Sequence, residues 1–136
     1  MLDKYPAEAK YVFKNFPLSS HKFARPAAVA ALAAGRQGKF WEFHDKLYQY
    51  YNQLDQQKIQ LFSQELGLDA VRFEQDMKDS QLTAVINRDY SEGVRAGVTG
   101  TPAVFLNGKL LRDRRMAGFQ AAIEKELQKL RSGANP

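Results

Sequence analysis

A chain of 136 residues with 44% hydrophobic and 26% charged side chains is long enough to bury a core and too apolar for wholesale disorder. Its net charge of +5 comes from scattered basic residues, densest at Lys109, Arg112, Arg114 and Arg115, which read as solvated surface rather than a nucleic-acid footprint. It has no cysteine, which excludes disulfides, thiolate metal sites and cysteine nucleophiles, and no apolar run approaches the roughly 18 residues that span a bilayer. Met1 is followed by Leu-Asp-Lys-Tyr-Pro, without the basic start and apolar middle of a secretion signal, so the chain as written is expected to stay where it is made.

The first element expected is a strand over Ala9–Phe16. Tyr11, Phe13 and Ala9 alternate with Val12, Lys14 and Phe16, and apolar residues on both faces predict burial between layers. Pro17 ends it, and Ser19 or Ser20 can cap a helix from about Lys22 to Ala34, stopped by Gly35. The alanine-rich window Ala27–Ala34 within it predicts close packing against a neighbour. Phe40, Phe43, Leu47 and Tyr50 recur at helical spacing. Asp55 is a cap for a helix carrying Ile59, Phe62 and Leu66, closed by Gly67. Asp69 caps a short helix with Ala70, Phe73 and Met77 on one stripe, and Ser80 opens a longer one with Leu82, Val85, Ile86, Tyr90 and Val94 inward. A strand Ala103–Leu106, the hairpin turn Asn107-Gly108 and a returning strand Lys109–Leu111 follow. The last helix starts near Gly118 and turns Phe119, Ala122, Ile123, Leu127 and Leu130 to one face, and the tail 132–136 should fray. With no repeat, low-complexity tract or linker, residues 1–136 form a single domain.

Few of the residues that could carry chemistry converge. His21 and His44 are the only histidines; Ser19 and Ser20 beside His21 read as caps, and His44 as a polar flank of its helix, so no metal site or triad is expected. Glu42 with Asp45, Glu65 with Asp69, and Asp76 with Asp79 have helical spacing that could serve acid–base work, but read as solvated outer faces. Gly93, Gly97 and Gly100 make no phosphate-cradling pattern. Trp41, Phe43, Tyr48, Tyr50 and Tyr51 could line a ligand or peptide surface, and read instead as core.

Three stretches carry a family resemblance. They are Phe13-Lys14-Asn15-Phe16-Pro17-Leu18, the pair Ala27–Ala34 with Gly38-Lys39-Phe40-Trp41-Glu42-Phe43-His44, and the run Gly97-Val98-Thr99-Gly100-Thr101-Pro102-Ala103-Val104-Phe105-Leu106-Asn107-Gly108. In this order they resemble, in the DsbA-like thiol-disulfide oxidoreductases, the strand and turn after the active-site helix, the start of the helical insertion, and the proline loop with its hairpin. The resemblance spans about Leu2 to Leu130 and implies an α/β thioredoxin-like fold, mostly helical, with an insertion over about 22–97. Family members begin with a central strand and a Cys-x-x-Cys helix; Leu2-Asp3-Lys4-Tyr5-Pro6 resembles the end of that helix, so the fold is expected to be incomplete at its amino end by roughly 30 or more residues.

By the resemblance, Pro102 follows a cis peptide bond and the backbone of Thr101 pairs with an extended protein or peptide substrate. Thr101 and Pro102 are therefore the candidate substrate-binding residues, with no catalytic residue, metal or cofactor expected. The family's thiol-disulfide exchange cannot run on a chain without a thiol. The reading is a truncated, redox-inactive member of an oxidoreductase family whose full-length proteins are periplasmic or otherwise extracytoplasmic. The alternative is a noncatalytic protein- or peptide-binding module on the same scaffold. The vacant strand position between Tyr11–Phe16 and Ala103–Leu106 implies a homodimer or strand-swapped oligomer, with neither nucleic acid nor membrane as partner.

Overall fold

The computed structural model describes residues 2–133. A single 3-10 turn, Leu2–Lys4, precedes five helices: α1 (Ala24–Gly35), α2 (Phe40–Gln49), α3 (Gln56–Glu65), α4 (Ala70–Met77) and α5 (Ser80–Arg95). A two-stranded antiparallel sheet follows, β1 (Phe105–Leu106) with β2 (Lys109–Leu110), and then α6 (Met116–Arg131). The contacts sort into two compact units, one running Lys14–Gly97 and the other joining the segment up to Phe13 with the segment from Val98 onward.

Aspartate side chains cap three of the six helices among the described residues. Asp55 accepts a hydrogen bond from the Lys58 amide at 2.7 Å, and Asp69 from the Arg72 amide at 2.9 Å, each satisfying an amide that the first helical turn leaves without a carbonyl. α5 opens at Ser80, as its sequence suggests, and Asp79 is its cap, through the Gln81 amide at 2.9 Å. Neither Ser19 nor Ser20 caps α1. Backbone turns lead into that helix instead, His21 N–H to Leu18 C=O and Ala24 N–H to His21 C=O, both 3.1 Å, and the cap residue is Phe23.

In the Lys14–Gly97 unit, α1 packs against α2, α3, α4 and α5. Its face of Ala30, Ala31, Ala33 and Ala34 is buried together with Phe43, Ile59, Phe62, Phe73 and Leu82. Methyl side chains let the neighbouring helices approach, and the aromatic rings fill the space between. Phe43 sits 6.0 Å, ring centre to ring centre, from both Phe62 and Phe73. At the end of α1, Arg36 Nη1 donates to Asp76 Oδ1 and Asp79 Oδ2 at 2.7 Å each, tying α1 to α4 and to the cap of α5. Asp76 and Asp79 are thus partly buried clamp residues, not members of a solvated face. The Gln81 amide, and after it the Arg36 guanidinium, hold the Asp79 carboxyl below its ordinary range.

Residues 9–16 are not a strand. Among the described residues they join no sheet, and Tyr11 and Val12 are 55% and 60% exposed rather than buried between layers. A strand exists only with a partner to take its amides and carbonyls, and here a side chain does part of that work. Buried Asp89 of α5 accepts from both the backbone amide and Nδ2 of buried Asn15, at 3.0 Å each. Phe16 stacks on Tyr90 at 4.4 Å beside it. On α5, Leu82, Ile86 and Asp89 form the buried stripe; Val94 lies about a third of a turn off it and is exposed.

In the other unit the hairpin turn has φ of +49° at Asn107 and +81° at Gly108, the left-handed geometry a two-residue turn needs. Leu111 N–H donates to Val104 C=O at 2.8 Å, extending the hairpin beyond its strands. α6 begins at Met116, two residues before Gly118, and Ile123 is this unit's buried apolar residue among those described, while Leu130 is exposed. Tyr5 O–H donates to Glu124 Oε1 at 2.8 Å, joining the amino-terminal segment to α6. The fraying expected of the tail falls mainly on 134–136, which lie outside the described residues.

Candidate functional site

Gly97, with φ of +88°, ends α5, and Val98 begins a loop that leads into β1. Thr101 and Pro102 are exposed at its tip, and the peptide bond between them is cis. Among the described residues neither the amide nor the carbonyl of Thr101 has a hydrogen-bond partner. The next carbonyl does: Pro102 C=O accepts from Arg114 Nη1. The loop therefore presents one open backbone donor and acceptor, beside a peptide unit held by a guanidinium.

Arg114 lies in the turn between β2 and α6, which has its own clamp. Asp113 takes Arg115 Nε and Nη2 on its two oxygens at 2.9 Å each, and the Arg115 amide at 3.1 Å. Those donors bring the Asp113 carboxyl down to about 2. Gly118, in the first turn of α6, leaves room for Asp113: a Cβ there would collide with the Asp113 carbonyl oxygen. Gly118→Ala should therefore displace the turn that carries Arg114. A loss of about 1–3 kcal/mol, typical of overpacking, is expected in urea denaturation, with shifted amide resonances at Asp113–Arg115. Unchanged stability and spectra would show that the turn yields freely.

The other sequence candidates do not converge on this loop. His21 is exposed, and His44 lies along α2 between the rings of Trp41, at 5.3 Å, and Tyr48, at 4.5 Å, with Nδ1 3.2 Å from Asp45 Oδ1. The aromatic run is not one core stripe. Phe40, Phe43, Leu47 and Tyr50 share the inward face, whereas Trp41, Tyr48 and Tyr51 are 45%, 63% and 74% exposed. Positions 41 and 48 lie seven residues apart, so they form a second line beside the first. Arg114 was legible only as one of four clustered basic residues, because its contact with Pro102 spans 12 positions and carries no spacing motif.

Three comparisons bear on what this site belongs to. A family model described as Thioredoxin matches residues 2–125. A crystal structure of a thioredoxin-like oxidoreductase from Silicibacter pomeroyi superimposes with a TM-score of 0.73 at 25% identity, covering 86% of this chain and 68% of that one. Among curated proteins, a Na(+)/H(+) antiporter NhaA 3 from Salinispora tropica is 36% identical over 101 residues, 74% of this chain and 16% of that protein. An antiporter NhaA from Herminiimonas arsenicoxydans is 31% identical over 105 residues, 77% of this chain and 17% of that protein. The chain spans about one sixth of these curated relatives, whose transport activity is named for proteins several times longer.

Proposed function

From the premise that this chain belongs to the thioredoxin family and has a thioredoxin-like, mostly helical fold, we propose that it is the substrate-holding part of a DsbA-like disulfide oxidoreductase system and is redox-inactive by itself. The observation that carries this reading is the exposed Thr101 backbone, whose amide and carbonyl have no partner among the described residues. An extended polypeptide laid along Thr101–Pro102 would satisfy both groups by strand-like pairing, and the scaffold would contribute shape rather than a reacting atom. Thiol-disulfide exchange needs a thiolate to attack a sulfur and a second thiol to resolve the mixed disulfide. The 136 residues contain no cysteine, so any dithiol has to come from outside them.

The test uses the isotope-labelled chain and a short, end-blocked, β-branched peptide. The Thr101 amide resonance should shift on titration, and N-methylation of the peptide's central amide should weaken binding about fivefold by deleting one hydrogen bond. In a dithiothreitol-driven disulfide reduction assay the chain should match buffer alone. Turnover above buffer, or peptide binding indifferent to N-methylation, would overturn the reading.

A further inference from the structure

We infer that Arg114 makes this loop selective for peptides carrying an acidic side chain, an inference that rests on the peptide-holding reading of Thr101–Pro102. The basic residues around the hairpin differ in what they face. Lys109 lies 3.8 Å from Glu126, which Lys129 also approaches at 3.4 Å. Arg115 spends its Nε–Nη2 edge on Asp113. Arg114 is different: its partner is the Pro102 carbonyl, a neutral group, reached through Nη1. Among the described residues no carboxylate lies within ion-pair distance of Arg114, so its charge is not neutralised.

The guanidinium geometry then specifies the ligand. A guanidinium is planar, and its Nε–Nη2 edge accepts a carboxylate through two parallel hydrogen bonds. That is the edge Arg115 uses for Asp113, and on Arg114 it is left open while Nη1 anchors the group to the loop. Anchoring also reduces the rotamer freedom that a surface arginine otherwise loses on binding. The anchor point is the carbonyl one residue after Thr101, so the open edge lies within a residue or two of the proposed pairing site. Two residues of extended strand cover about 7 Å, within reach of an aspartate or glutamate side chain next to the paired position. A free carboxy terminus offers the same chemistry, and end-blocked peptides separate that source from a side chain.

The experiment compares end-blocked β-branched peptides with Glu, Gln or Lys at one position, titrated into the full 136-residue chain while the Thr101 and Arg114 resonances are followed. The Glu peptide should bind about fivefold tighter than Gln at low salt, and Lys weaker than both. Arg114→Gln should erase the Glu-to-Gln ratio, Arg114→Lys should keep part of it, and Arg112→Gln should leave it unchanged. The ratio is a readout that a purely structural role for Arg114 would not move. Equal affinities for Glu and Gln, with Thr101 shifting in both, would overturn acid selectivity and leave the loop reading standing. A Glu preference that survives Arg114→Gln would overturn Arg114 as its source. No shift at Thr101 with any peptide would overturn the loop reading and this inference together.

Discussion

Replacing Phe43 with alanine is expected to destabilise the helical unit by about 3–5 kcal/mol, the range for deleting a buried aromatic ring. Phe43 is fully buried and its ring meets Phe62 edge-on and Phe73 face-on, each at 6.0 Å. The cost should lie toward the upper end because the surroundings relax poorly. The buried cluster it belongs to includes Ala30, Ala31, Ala33 and Ala34, and a methyl fixed to a helix backbone has no rotamer with which to enter the void. Total stabilities of roughly 5–15 kcal/mol make such a loss a large fraction of what holds a domain folded. Urea denaturation followed by far-UV circular dichroism measures it, and Phe43→Leu, which conserves more of the volume, should cost clearly less. A loss below about 1 kcal/mol for Phe43→Ala would mean that the ring contacts do not form the centre of this unit.

What could be read in advance divides by range. Asp55 and Asp69 cap helices a few residues away, and Asn107-Gly108 turns a hairpin within itself, so each signal and its consequence lie in one short window. The inward row Phe40, Phe43, Leu47, Tyr50 was legible from its period, but Trp41 and Tyr48 repeat with the same period, and nothing local says which row faces the alanines of α1. Residues 9–16 misled for a related reason: alternation is a property of the segment, whereas a strand is a property of two segments. At the candidate site, Thr101 and Pro102 are legible from the proline-loop resemblance, while the role of Arg114 is not, since the carbonyl it holds belongs to a different turn of the chain. The Arg36 clamp is hidden for the same reason, because Asp76 and Asp79 look like surface charges until α1 is placed beside them.

Asp89→Ala should produce the second large effect, about 2–4 kcal/mol, through two donors left without an acceptor. The backbone amide and Nδ2 of Asn15 both donate to Asp89 Oδ2 at 3.0 Å, and both residues are buried. Truncation removes the acceptor, so the desolvation already incurred by Asn15 goes uncompensated. Lys14, whose Nζ lies 3.8 Å from Asp89 and 3.3 Å from Glu92, keeps the second carboxylate and loses little. Asp89→Asn retains one oxygen able to accept from Asn15 and should cost less than alanine. Since a carboxylate here replaces the carbonyls of a neighbouring strand, the damage should be local as well as global. Amide exchange at Asn15 should accelerate, and the Phe16–Tyr90 stack, 4.4 Å between ring centres, should loosen. Asn15→Ala combined with Asp89→Ala should cost less than the two changes added, by about 1–2 kcal/mol, because the second change removes a partner already lost. Val12→Ala, at an exposed position of the same segment, should stay within about 0.5 kcal/mol. If Asp89→Ala leaves both the denaturation midpoint and Asn15 exchange unchanged, the carboxylate is not what holds this segment to α5.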